Sequence, residues 1–114
     1  MHEISIAQQI LDLVIRHLPS GDERPVKAVR LKLGARAGVS ADSLEWGWKV
    51  VTELSVVRSA ALIIEPVPSR VRCTTCGTVF EPGRYLIVCP RCRDPKIEII
   101  SGDELQVMDI ELID

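Results

Sequence analysis

Four cysteines in this 114-residue sequence have the spacing of metal ligands. They form two Cys-x-x-Cys turns, separated by 12 residues, whose sequences are Cys73-Thr-Thr-Cys76 and Cys89-Pro-Arg-Cys92. Each turn directs two sulfurs to one point, so two facing turns offer four thiolates in a tetrahedron. Zn(II) accepts this geometry with Zn–S distances of about 2.3 Å, and a site with all four positions filled has a structural role. We predict that Cys73, Cys76, Cys89 and Cys92 bind one structural zinc ion.

Other uses of the cysteines stay open at this point. Ordinary buried thiols, or a single redox-active pair, would leave the second turn unexplained. The two turns also resemble the iron-binding knuckles of rubredoxin, but only Phe80 and Tyr85 lie nearby in the sequence to shield an iron centre, which favours zinc. Disulfides are not expected, because the sequence shows neither a secretory signal nor an apolar stretch of about 18 residues that could cross a bilayer. We therefore expect a cytoplasmic protein.

The second residue, His2, offers a different set of ligands. The Met1 amine, the His2 backbone nitrogen and the His2 imidazole can form two fused chelate rings on one ion, with Glu3 at a remaining position. This chelate needs a deprotonated amide, which square-planar Ni(II) or Cu(II) supports and zinc does not. Two considerations oppose it: a helix N-terminus disfavours a cation, and a terminal histidine is more often a solvated surface residue. The residues alone leave both interpretations open. His17 cannot share the ion, because 15 helical residues separate it from His2 by roughly 22 Å.

The charge distribution argues against binding to nucleic acid. The net charge is −2, yet residues 70–96 contain six basic and two acidic side chains, a net of +4, so the rest of the chain carries −6. A zinc ion with four thiolates contributes −2 and leaves about +2 in that segment. This is too little for a nucleic-acid footprint, and the acidic remainder opposes one further. We also find no phosphate-binding loop and no nucleophile with a partner base, so we do not expect an enzyme.

Hydrophobic periodicity predicts two helices. Apolar residues at three- and four-residue steps predict an amphipathic helix that begins almost at the N-terminus and ends at Pro19. Ser40 predicts the N-cap of a second helix, in which Leu44, Trp48 and Val51 share one face. The apolar residues of the first helix are Ile4, Ala7, Ile10, Leu11, Val14, Ile15 and Leu18.

Three strands complete the main fold. Alternating or apolar runs predict strands over 26–33, 60–65 and 105–112, the second stopped by Pro66 and Pro68 and the third at a sheet edge. A short apolar run, 97–100, precedes the last strand. The order favours an α+β fold: a three-stranded sheet with two helices on one face, plus an inserted four-cysteine module like a zinc ribbon.

The same order predicts two domains. Residues 1–69 and 97–114 would form a discontinuous α/β domain, and residues 70–96 a zinc-binding domain. A segment of about 25 residues cannot bury a core of its own, so metal binding there supplies folding free energy.

Several stretches resemble the HypA/HybF family of hydrogenase nickel-incorporation proteins. The combination of a Met-His-Glu start with paired Cys-x-x-Cys turns is specific, and the resemblance covers essentially the whole chain. The stretches that carry it are Met1-His2-Glu3, Ser5, Ala7-Gln8, Leu31-Lys-Leu-Gly34 to Val39, Cys73-x-x-Cys76 to Cys89-Pro-x-Cys92, and Ser101-Gly102-Asp103-Glu104-Leu105.

The resemblance implies a nickel metallochaperone. It implies a nickel-binding domain around the N-terminus, with His2 as the nickel ligand, and a zinc domain inserted before the last strand. It further implies delivery of Ni(II) to the large subunit of nickel–iron hydrogenase, usually with an accessory GTPase of the HypB type. A homodimer and a role for urease stay open. Arg93 departs from the family pattern, because glycine or histidine often follows the second cysteine turn.

Two other functions compete with this one. A zinc-ribbon module that binds nucleic acid would use the arginines near the cysteines and stack bases on Phe80 or Tyr85. A rubredoxin-like electron carrier would be purified as a red protein containing iron. The net acidity opposes the first, and the scarcity of shielding aromatic residues opposes the second.

Overall fold

The protein folds into two helices and two small sheets. The structure, a computed structural model, describes residues 3–83 and 87–114. Within these ranges the elements in chain order are α1 (Glu3–Arg16), β1 (Val26–Gly34), α2 (Ala41–Thr52), β2 (Ala61–Val67), β3 (Arg70–Cys73), β4 (Val79–Phe80), β5 (Ile97–Ser101) and β6 (Leu105–Leu112). No helix in this part of the chain is both long and apolar enough to cross a membrane.

The two helices begin and pack largely as their periodicity predicts. Ser40 caps α2, since its hydroxyl accepts a hydrogen bond of 3.1 Å from the backbone nitrogen of Ser43. The predicted end at Pro19 was wrong, because α1 ends at Arg16 and Leu18 lies beyond it. The predicted apolar face was wrong at Ile15, which is 43% exposed, whereas Ile6 is buried instead. These two residues lie at opposite borders of the apolar stripe, and only the Ile6 border is covered.

The main sheet has the strand order β2-β1-β6. The central strand β1 buries residues on both of its faces, including the consecutive pair Ala28 and Val29. Of the two prolines expected to stop β2, Pro66 does not, because the strand continues through it to Val67 and ends directly before Pro68. Since β2 is an edge strand, the missing N–H of a proline is tolerated there. The prediction that the last strand lies at an edge is confirmed by β6, which Arg30 of β1 joins through Asp109 at 2.8 Å.

A second sheet, which the sequence did not predict, carries the first cysteine turn. Its order is β4-β3-β5, and both neighbours of β3 run antiparallel to it. Val71 of β3 is fully buried between Phe80 and Ile99. Arg72 of β3 forms an ion pair of 3.0 Å with Glu98 of β5. The apolar run at 97–100 is therefore part of β5.

The chain divides into two compact units. The core unit comprises Met1–Lys32, Gly38–Glu65 and Gln106–Asp114, and the cysteine unit comprises Leu33–Ala37 and Pro66–Leu105. Among the described residues of the core unit thirteen hydrophobic side chains are buried: Ile6, Ala7, Ile10, Leu11, Val14, Val26, Ala28, Val29, Leu31, Leu44, Trp48, Val57 and Ala60. In the described part of the cysteine unit the buried hydrophobic residues are Leu33, Val71, Cys73 and Cys89.

Candidate metal site

The first cysteine turn follows directly from a strand. β3 ends at Cys73, and the chain then folds back through two backbone hydrogen bonds. The backbone nitrogen of Gly77 donates to the Cys73 carbonyl at 2.8 Å, and the nitrogen of Cys73 donates to the Thr78 carbonyl at 2.9 Å. These bonds close a tight loop around Cys73 and Cys76.

The second turn repeats the same pattern of backbone bonds. The nitrogen of Arg93 donates to the Cys89 carbonyl at 2.7 Å, and the nitrogen of Cys89 donates to the Asp94 carbonyl at 3.1 Å. The backbone nitrogen of Cys92 also lies 3.5 Å from the Cys89 sulfur. Because both turns share one geometry, each presents its pair of sulfurs in the same way.

Each turn ends on a residue in the left-handed region. Gly77 has φ 80°, and Arg93, at the equivalent position of the second turn, has φ 63°. Glycine adopts this conformation without steric cost, whereas a side chain opposes it by about 1–2 kcal/mol. The second turn is therefore strained at the residue where the sequence departs from the family pattern.

The four sulfurs meet at one point. All four lie within 4.8 Å of one another, with 3.5 Å between the Cys73 and Cys92 sulfurs and 3.6 Å between those of Cys76 and Cys89. A tetrahedral zinc site with Zn–S distances near 2.3 Å has edges of about 3.8 Å. The donor set and its spacing therefore fit a metal ion such as zinc. All four cysteines are free thiols, Cys73 and Cys89 buried and the other two exposed.

Polar side chains around the sulfurs join the two turns. The Thr78 hydroxyl lies 3.1 Å from the Cys76 sulfur, to which it donates when the sulfur is a thiolate. The Thr75 hydroxyl donates to the Asp94 carboxylate at 2.8 Å, and that carboxylate also accepts from the backbone nitrogen of Lys96 at 2.9 Å. The spacing of the cysteines did not predict these contacts. The threonines within and after the first turn are the signal that could have indicated them.

The pKa is lowered at two of the cysteines and raised at a third. The Thr78 hydroxyl and backbone N–H lower the pKa of Cys76 to about 6. The backbone N–H of Cys92 lowers the pKa of Cys89. At Cys92 the backbone N–H of Asp94 acts to lower the pKa, but the neighbouring thiols, that of Cys73 foremost, and desolvation together raise it to about 12. A metal cation removes this opposition between thiols, because a coordinating thiol loses its proton outright.

The candidate nickel ligand lies outside the described residues. His2 and Met1 precede Glu3, where α1 begins. The other histidine, His17, is exposed beyond the end of α1, and its Nδ1 lies 2.8 Å from the Leu13 carbonyl oxygen. Among the residues that the structure places, the four cysteines are the one group of at least three histidine, cysteine or acidic side chains gathered as metal ligands.

Comparison with known families gives one match across the chain. The model of the HypA family, described as "Hydrogenase/urease nickel incorporation, metallochaperone, hypA", matches residues 1–112. The match includes the Met1-His2-Glu3 start and all four cysteines.

Individual relatives agree with the family match. A hydrogenase maturation factor HypA from Chloroflexus aggregans is 39% identical over 112 residues, which cover 97% of this chain and 98% of that protein. Another, from Dehalococcoides mccartyi strain CBDB1, is 32% identical over 114 residues, 100% of this chain and 96% of the relative. The solution structure of the nickel metallochaperone HypA from Helicobacter pylori has the same fold, with a TM-score of 0.67, 24% identity and coverage of 99% and 98% of the two chains.

Proposed function

Because the chain belongs to the HypA family of nickel-incorporation metallochaperones, we propose that it binds Ni(II) at its N-terminus and delivers the ion for maturation of nickel–iron hydrogenase. Membership makes it a maturation factor rather than an enzyme. The observation that carries the proposal is the family match from residue 1, which includes His2.

Nickel is the cargo, and its proposed ligands come from the start of the chain. The Met1 amine, the His2 amide nitrogen and the His2 imidazole form a planar chelate suited to Ni(II), with Glu3 at a remaining position. Ligands supplied by three successive residues need no distant part of the fold to hold them, so the ion can be taken up and passed on with little rearrangement. The carboxylate of Glu3 and the deprotonated amide offset the positive end of the α1 dipole.

Zinc has the other role in this proposal. Four thiolates leave no position open for a substrate, so a zinc ion bound by Cys73, Cys76, Cys89 and Cys92 stabilises the fold and does not react. The described residues of the cysteine unit include few buried apolar side chains, which supports this role, because a bound metal supplies folding free energy.

The proposal extends to partners and compartment. The large subunit of nickel–iron hydrogenase is the recipient, and a GTPase of the HypB type supplies nucleotide hydrolysis, which this chain has no motif to perform. The cytoplasm is the expected location, since four free thiols persist in a reducing compartment.

The test compares the two histidines. In untagged protein, His2→Ala should abolish specific Ni(II) binding measured by calorimetry, without changing zinc content or helical circular dichroism. His17→Ala is the matched control and should bind nickel normally, because its ring lies at the far end of α1. A tag left on the N-terminus should weaken binding nearly as much as His2→Ala, since it converts the chelating amine to an amide. Equal nickel affinity of tagged and untagged protein would exclude the amine as a ligand.

A cellular experiment separates delivery from folding. Deletion of the protein should remove hydrogenase activity and leave the large subunit present but unprocessed. Added nickel should partly restore activity, because mass action can replace a chaperone but not a structural subunit. The His2→Ala variant should behave like the deletion. Normal hydrogenase activity in that strain at limiting nickel would refute the proposed function.

A further inference from the structure

One face of α2 leaves large apolar side chains in solvent. Trp46, Val50 and Leu54 are 56%, 45% and 100% exposed. They are four residues apart and so follow a single stripe of the helix. Glu53, at the end of α2, keeps helical dihedrals (φ −50°, ψ −41°), so Leu54 continues the stripe. We call Trp46, Val50 and Leu54 the α2 ridge.

The surface beneath the ridge is held firmly. On the opposite face Trp48 is 2% exposed, and its indole nitrogen donates to the Ala60 carbonyl at 3.1 Å. The turn that follows the helix buries Val57 completely and leaves Val56 73% exposed, close in sequence to Leu54. The helix that carries the exposed side chains is therefore anchored to the core, and exposed apolar side chains grouped along one stripe commonly mark an interaction site in soluble proteins.

Charged residues along one side of the ridge are mostly acidic. Asp42, Glu45 and Glu53 lie there on the helix surface with a single basic residue, Lys49. In residues 3–83 and 87–114 none of these four side chains forms an ion pair. Asp42, Glu45, Lys49 and Glu53 give this border of the ridge a net charge of −2, and Arg58, which lines the same hollow as Lys49 and Glu53, reduces it to −1.

We propose that the α2 ridge binds an amphipathic helix of a partner protein, with an apolar row facing the ridge and lysine or arginine residues facing Asp42, Glu45 and Glu53. A row of side chains at four-residue steps packs into the groove of another helix. The charges set the polarity of the partner. A second copy of the chain is a poor occupant in antiparallel twofold pairing, which would bring the two acidic borders together, and a crosslink to another copy would reveal parallel pairing.

The ridge lies on the helix that contacts the start of α1. A Cβ atom built on Gly47 would lie 3.1 Å from the Glu3 carbonyl oxygen and 3.4 Å from the Cβ of Ala7. Glu3 directly follows His2 in the chain. A partner bound to α2 would thus be near the residues that we propose as nickel ligands. This link to nickel transfer rests on the proposed function, whereas binding of the helix does not.

The first experiment measures binding to full-length, zinc-loaded protein. The probe is a synthetic helical peptide of about 18 residues with a leucine row bordered by lysines, and its counterpart has glutamates in place of the lysines. We expect the lysine peptide to bind and the glutamate peptide to bind at least tenfold more weakly. Leu54→Asp and Trp46→Ala should each weaken binding about thirtyfold, the effect of losing a central anchor. The double variant Glu45→Lys, Glu53→Lys should reverse the preference between the peptides.

Ile99→Asp is the matched control, because Ile99 is 47% exposed on β5 of the cysteine unit. It should leave binding of both peptides unchanged. Each variant is also titrated with Ni(II). Unchanged nickel affinity in the ridge variants separates this inference from the proposed function, and absent nickel binding in the unaltered protein would count against the proposed function alone.

The second experiment identifies the natural occupant. A photo-crosslinking amino acid at position 46, in cells that express hydrogenase, should give an adduct with a helical segment of another protein that has an apolar row and basic neighbours. The same amino acid at position 99 should not give this adduct. Any one of three results would overturn the inference. They are equal binding of the two peptides, a crosslink to another copy of this chain or to an acidic segment, and no adduct beyond that from position 99.

Discussion

The two compact units are stabilised in different ways. In the core unit, aliphatic side chains and Trp48 fill the interior, and burial of each large side chain contributes about 1.5–3 kcal/mol. Among the described residues of the cysteine unit, the buried hydrophobic side chains are those of Leu33, Val71, Cys73 and Cys89. Hydrophobic burial accounts for the core unit, whereas we expect the cysteine unit to depend on bonds from its sulfurs to a metal.

The largest expected effect follows from removing one sulfur. Cys73→Ala should release zinc and unfold the cysteine unit, because three thiolates leave the site incomplete and, among the described residues, Leu33 and Val71 are the only buried aliphatic side chains of this unit. The helices of the core unit should persist. Hydrogen exchange of backbone amides resolves both outcomes in one sample, with protection lost in β3 and β5 and kept in α1 and α2.

Leu44→Ala is the counterpart in the core unit. Leu44 is fully buried, so the change should destabilise the core unit by about 2–5 kcal/mol while zinc content stays at one ion per chain. If Cys73→Ala retained zinc and β3 kept its amide protection, the four-thiolate assignment and the contrast between the units would both be wrong.

The same contrast explains which parts of the fold the sequence predicted. The helices of the core unit follow from long apolar periodicity, and Ser40 from cap chemistry, because these signals are local. The second sheet was missed because β3 and β4 have four and two residues, too few for alternation to be visible. Its pairing of Arg72 with Glu98 joins distant parts of the chain, which no local pattern encodes.

The cysteine ligands of the candidate metal site could be predicted, because the spacing of the two turns alone determines how their sulfurs are arranged. The two Cys-x-x-Cys turns predicted that four sulfurs would meet, and they do, while the identity of the ion and its role stay predictions. The contacts of Thr75 and Thr78 were missed, since a hydroxyl can donate in many directions and its partner depends on the folded turn. The nickel assignment of His2 came from family resemblance and lies outside the described residues.

A smaller effect distinguishes the two cysteine turns. A Cβ at Gly77 would meet nothing within 4 Å, so Gly77→Ala tests the backbone conformation alone. We expect zinc binding to weaken by about 1 kcal/mol, or about fivefold in affinity, because a side chain is sterically unfavourable at φ 80°. Arg93→Gly should relieve the strain at φ 63° but also make the unfolded chain more flexible, which opposes the gain. We expect a net increase in stability of about 0.5 kcal/mol. Competition with a chromogenic chelator measures both changes.

Gly21→Ala provides the control in the core unit. Gly21 has φ 79° and equally open surroundings, so the backbone cost should be similar, yet zinc affinity should not change. A loss of zinc affinity in this variant would show that folding of the core unit is coupled to metal binding. The contrast between the units would then have to be abandoned.

The smallest expected effect concerns the loop with Asp22 and Arg24 in the core unit, which is stabilised by hydrogen bonds and not by a metal. Asp22 accepts hydrogen bonds from the side chain and backbone nitrogen of Arg24, which lower its pKa from 3.8 to about 2. Because the folded pKa is the lower one, this stabilisation is fully present above pH 3.8 and is lost as pH falls through about 2.

Carbon NMR titration of the Asp22 carboxyl should give a midpoint near 2, and Arg24→Gln should return it toward 3.8. Asp22→Asn should lower the melting temperature of the core unit slightly at pH 7, and the difference should vanish near pH 2. Thiolate ligands are protonated in milder acid, so the cysteine unit should lose its metal well before this loop loses its ion pair. A midpoint near 3.8 in the unaltered protein would show that the Arg24 contact does not persist in solution.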